Sequence, residues 1–146
     1  MPEYMDQLDR VRRMLDRINR RDRSPIEYGD DIWSFFQNCW HLKDWVKNDA
    51  SVPLHVRESI ARLAAASPPL MICADLANAT KHLKLKNPRV GAKPSHYNIA
   101  IVPGESSKVE YIVDTGSGTQ QDGLDLARKC LLEWDRILAA QGLKVE

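Results

Sequence analysis

Residues 31–47 read DIWSFFQNCWHLKDWVK, and the period of that run decides the fold. Ile32, Phe35, Phe36, Cys39, Leu42 and Val46 recur at three- and four-residue intervals, which puts them on one face of an α-helix. Trp33 and Trp40 lie beside the polar stripe of the same helix, and Trp45 lies on its other flank. Indoles seek burial, so aromatic area on several sides makes this helix central.

Outward from that stretch, Tyr4, Leu8, Val11, Leu15 and Ile18 predict a first helix over about residues 3–20, charged on its other faces. Ser24-Pro25-Ile26-Glu27 reads as a capping box with proline at the first helical position. Gly29 and Asp30-Asp31 leave the start of the second helix open between that box and Asp31. Asn48 to Pro53 breaks it, and a shorter helix follows with Leu54, Ile60 and Leu63 inward. Ser67-Pro68 opens another, expected to run to about Lys84 with Leu70, Cys73, Leu76, Ala77 and Thr80 on one side. Asn87-Pro88 and Gly91 stop it.

Tyr97–Val102 and Val109–Val113 are β-rich and flank Pro103–Ser107, which predicts a hairpin at about 97–113. Thr115–Gly118 reads as a flexible joint and Thr119-x-x-Asp122 as a variant capping box. The last helix carries Leu124, Ala127, Cys130, Leu131, Trp134, Ile137 and Leu138 as an apolar stripe and stops near Gly142. An isolated hairpin is marginal in water, so it must lie against the helices. The expected fold is mainly α: a bundle of about five helices with one antiparallel β-hairpin packed on it, a single domain over residues 1–146.

Composition narrows the function classes. With 43% hydrophobic and 28% charged residues the chain is ordinary globular material, and a net charge of +1 gives no global signal for nucleic acid. No run approaches the roughly 20 apolar residues that span a bilayer. Met1-Pro2-Glu3-Tyr4 lacks the basic start and apolar core of a secretory leader. Cys39, Cys73 and Cys130 fall on apolar stripes without Cys-x-x-Cys spacing, which fits buried free thiols in a reducing compartment and a cytoplasmic protein. No cofactor and no metal is expected.

Two polar stripes are the candidates for chemistry. Gln37, His41, Asp44 and Asn48 share the face opposite Cys39, while Met71, Asp75, Asn78 and His82 share the face opposite Cys73. Both are poor in Lys and Glu. They read as solvated faces, as a structural hydrogen-bond network, as metal ligands, or as acid–base groups. Lys81, Lys84, Lys86, Arg89, Lys93 and His96 follow with no acid among them, a local footprint for a polyanion and also an ordinary cationic helix end. Arg10, Arg12, Arg13, Arg17, Arg20, Arg21 and Arg23 form a second basic region.

The segment Ala77-Asn78-Ala79-Thr80-Lys81-His82 resembles the Arg-Asn-x-x-x-His motif of the HEPN superfamily, helical bundles that include ribonuclease toxins and nucleotide-binding modules. Asn78 and His82 match the motif, and Ala77 stands where its arginine belongs. The resemblance implies a module binding RNA, a nucleotide or a protein partner in a prokaryotic defence or toxin–antitoxin setting, as a homodimer. Asn78, Lys81, Lys84, Lys86 and Arg89 would be its binding residues. If the chain instead cleaves RNA without metal, His82 is the acid–base residue, His41 assists it, and Asp44 or Asp75 orients an imidazole. A different class is an interaction protein that docks a partner through its tryptophan-rich helix.

Overall fold

A computed structural model describes residues 2–20, 24–79, 89–100 and 108–146. Among them are five helices: α1 (Glu3–Arg20), α2 (Pro25–Asn48), α3 (Leu54–Ala65), α4 (Pro68–Ala79) and α5 (Gly123–Ala140). Strands β1 (Lys93–Ala100), β2 (Lys108–Asp114) and β3 (Gln120–Asp122) form an antiparallel sheet in that order. The protein is therefore a mainly helical bundle carrying a β-hairpin.

Local chemistry explains where the elements begin and end. Ser24 Oγ accepts a hydrogen bond from the Glu27 amide at 3.3 Å and donates to Glu27 Oε1 at 3.0 Å, so the capping box starts α2 at Pro25. The helix then runs unbroken through Gly29 and the acidic pair. Asp122 caps α5, accepting from the Asp125 amide at 3.2 Å. Gly142, at φ 74°, closes that helix with two carbonyl bonds, Gly142 N to Ala139 O and Leu143 N to Leu138 O.

Three expectations change. Thr115–Gly118 is an ordered turn between β2 and β3, not a joint: Gly116 and Gly118 take φ 87° and 80°, and the Thr115 amide donates to Thr119 O at 3.0 Å. A Cβ on Gly116 would fall 1.6 Å from the Val90 carbonyl oxygen, so only glycine fits there. Thr119 belongs to this turn, and the cap is Asp122 instead. In α3 the buried residues are Val56, Ile60 and Ala64, four apart, and that row leaves Leu54 59% exposed and Leu63 half-buried. Thr80 to Lys84, expected to continue α4, lie outside the described residues.

All five helices and the sheet contribute to one hydrophobic cluster. α2 is its centre, packing against the other four helices and β2. No single helix among the described residues is long and apolar enough to cross a membrane; α3 and α4 pass that test only as a pair bent by 87°.

The start of α1 shows how distant segments are tied. Pro2 offers no side-chain cap, and the Tyr4 amide instead donates to Asp49 Oδ2 at 2.9 Å, from the residue that follows α2. Asp49 Oδ1 accepts from the amide and hydroxyl of Ser51 at 2.9 and 2.6 Å. Burial works to raise the Asp49 carboxyl pKa, but the Ser51 hydroxyl and the amides of Tyr4, Ser51 and Glu3 outweigh it and hold the group below its ordinary value. A depressed pKa gives stability that is present above the unfolded value of about 4 and is lost as pH falls through the folded one. Asp49→Asn should therefore cost about 2 kcal/mol at pH 7 and flatten the acid limb below about pH 4. Urea titrations across pH 2–7 read both effects; parallel wild-type and variant curves would exclude this role.

Candidate functional site

The two polar stripes have different fates. On α2, Asp44 is exposed and both its carboxylate oxygens accept from Lys43 Nζ at 3.0 Å, while Asn48 Nδ2 donates to the Asp44 carbonyl at 2.8 Å. Gln37 and His41 are half-buried. The Asp44–Asn48 end of this stripe is a surface face of the helix. On α4, Asp75 is buried at 1% exposure because residues 89–91 cross over it. Its Oδ1 accepts from the Arg89 amide at 2.8 Å, and its Oδ2 accepts from the amides of Val90 and Gly91 at 2.7 and 2.8 Å.

That geometry gives Asp75 a job the sequence did not assign. Three backbone N–H groups converge on a desolvated carboxylate, and charge-assisted bonds of this kind are roughly twice as strong as neutral ones. Asp75 thereby anchors the segment entering β1, which is itself pressed against Gly116. Its oxygens are engaged by the chain's own backbone, which is a different task from orienting an imidazole. Asn78 is half-buried beside it. Lys81, His82, Lys84 and Lys86 lie outside the described residues. Among the described residues no three or more of His, Cys, Asp and Glu are placed to hold a metal ion.

The two helices meet through their cysteine faces, since Cys73 Sγ donates to the Phe36 carbonyl at 3.4 Å. Cys39, Cys73 and Cys130 are all fully buried where α2, α4 and α5 join, and Cys130 Sγ donates to the Pro69 carbonyl at 3.4 Å. Trp134 Nε1 donates to the Cys39 carbonyl at 2.9 Å beside them. Burial disfavours the thiolate and pushes Cys73 and Cys130 well above the usual thiol range. Burial acts the same way on Cys39, but the polar groups of Cys130, Cys73 and Trp134 beside it outweigh that and hold its thiol below the ordinary range. The sequence placed each thiol in the core; their convergence is a tertiary fact.

The arrangement best suited to an external ligand lies at Trp40. The Arg89 guanidinium carbon and Lys43 Nζ each sit 4.9 Å from the Trp40 ring centroid, and the indole beneath them is only 5% exposed. Lys43 shares its charge with Asp44, whereas among the described residues no carboxylate pairs with the exposed Arg89 guanidinium. Trp40, Lys43 and Arg89 were readable only in part: the Trp40/Lys43 pair is an i, i+3 neighbour on one helix, but Arg89 is distant in sequence. The basic face of α1 is partly spent on structure. Arg12 pairs with Asp9 at 3.2 Å and Asp135 at 3.3 Å, Arg17 pairs with Asp31 at 3.3 Å, and Arg10 lies 5.6 Å from the Trp45 ring centroid.

Among the described residues, clefts also open elsewhere. One of about 450 Å³ is lined by Asp30, Trp33, Ser34 and Gln37. Another of about 650 Å³ lies between the β2–β3 turn and the start of α5, with Thr115, Asp122, Asp125 and Arg128 on its walls. Neither includes His41, Asp44 or Asp75.

Removing the buried Asp75 carboxylate should cost about 3 kcal/mol, because three backbone amides lose their charged acceptor. Asp75→Asn should also speed hydrogen exchange at Arg89, Val90 and Gly91; unchanged exchange there would contradict the anchor. The native protein should leave all three thiols unreactive toward Ellman's reagent and release three equivalents in guanidinium chloride. One fast equivalent under native conditions would show an open thiol cluster. No family model, curated protein or solved structure matches this chain.

Proposed function

We propose that this protein is a HEPN-like binding module for RNA, with Arg89, Lys43 and Trp40 at the centre of its contact surface. The observation that carries the reading is the Arg89 guanidinium, exposed, without a carboxylate partner among the described residues, and 4.9 Å over the Trp40 ring. A cation steadied on an aromatic face is a ready phosphate contact, because less rotamer freedom is lost on binding. Its backbone is fixed too, through the amide that Asp75 holds.

Binding is favoured over cleavage in this reading. The arginine of the resembled motif is replaced by Ala77, and Asp75 is engaged by backbone amides. Docking of a protein through the tryptophan-rich helix receives less support, because Trp40 lies under two cations instead of forming an exposed apolar patch. A homodimer, as the resemblance implies, belongs to the same proposal.

Fluorescence anisotropy with a labelled single-stranded RNA tests it. Wild type should bind, with log affinity falling linearly against log salt. Arg89→Ala should weaken binding and reduce that slope by roughly one phosphate contact, and Lys43→Ala should do less because Asp44 already shares its charge. RNA held with the protein and EDTA should stay intact. Cleavage in EDTA that vanishes in His82→Ala would move the reading to a metal-independent ribonuclease, and absence of binding would end it.

A further inference from the structure

We infer that Arg89 is a base-stacking platform, so the module selects RNA with unpaired bases over duplex. This rests on the RNA-binding reading and names the ligand class of the same surface. The indole of Trp40 cannot itself receive a base, because it is 5% exposed beneath Arg89 and Lys43. What the surface presents instead is the guanidinium. Its central carbon lies 4.9 Å from the indole centroid, and the residue is exposed to solvent.

A guanidinium is planar and weakly hydrated, and its faces stack on aromatic rings as readily as its edges hydrogen-bond. Exposed above the indole, Arg89 offers a flat cationic group of the kind on which bases splayed from single strands stack. Lys43 cannot do the same: its ammonium is a point charge, and Asp44 oxygens lie at 3.0 Å from it. The platform is also pre-organised. The amides of Arg89, Val90 and Gly91 are all held by the buried Asp75 carboxylate, so the stem of the side chain starts from a fixed point. In a duplex the bases are already stacked on one another, and the same group could meet only phosphates.

The test separates stacking from charge by Arg89→Lys. This substitution keeps the cation, and it keeps the anchor, since Asp75 holds the backbone amide rather than the side chain. Three labelled ligands are compared by anisotropy at one salt concentration: a single-stranded RNA, its blunt duplex, and a base-free strand of equal length. Thermal melting of the variant serves as the folding control. Wild type should prefer the single strand over both other ligands by roughly tenfold, the scale of one stacked base. Arg89→Lys should lose most of that preference while its salt slope on the single strand stays at the wild-type value. If wild type binds all three ligands alike, or Arg89→Lys retains the preference, the platform is refuted and RNA binding through charge alone stands. If wild type binds none of them, the RNA-binding reading falls and the platform with it.

Discussion

A buried indole needs an acceptor for its N–H, and Trp134 finds one in the Cys39 carbonyl of the neighbouring helix. Around that bond, α2, α4 and α5 come together with a cysteine from each at the junction. Sulfur is small enough to let helices approach and polarisable enough to fill what is left, and the Cys73 and Cys130 thiols also reach carbonyls, of Phe36 and Pro69. The other elements are arranged by this junction. Once α2 is fixed there, its remaining faces must be covered by α1, α3 and the sheet, which is why a 24-residue helix can carry Trp33, Phe35, Phe36 and Trp40, all partly or fully buried, along its length.

The second organising contact is Asp75 beneath residues 89–91. An apolar residue there would leave three amides without an acceptor, and a solvent-facing aspartate would leave the entry to β1 untied. The carboxylate does both jobs because α4 presents it just where the chain returns. Gly91, at φ 74°, and Gly116, against the Val90 carbonyl, let the segment lie close enough to reach it. The same anchor sets Arg89 above Trp40. Fold stability and the candidate contact surface are thus coupled through one buried charge.

Charge on this molecule is used locally. A net charge of +1 conceals a division between cations engaged within the fold, such as Arg12 with Asp9 and Asp135, and Arg89, which has no such carboxylate among the described residues. Exposed ion pairs contribute little to stability, so the former matter mainly for where charge is unavailable.

The sequence by itself determined the helices and their inward faces, because a 3.6-residue period and short-range caps are local properties. Phe35, Cys39 and Val46, the Ser24–Glu27 box, and Gly142 all behave as their spacing requires. It missed what depends on partners. Leu54 lost its inward place to the Val56–Ile60–Ala64 row, and Gly116–Gly118 became a turn because β3 pairs with β2. Helical spacing grouped Asp75 with Asn78 and His82 as one polar face, but could not see that residues 89–91 would cover that carboxylate. Nor could it see that Arg89 would meet Trp40, or that three cysteines 34 and 57 positions apart would share one junction. Contacts between residues far apart in the chain leave no period to read; only the packing of the helices decides them.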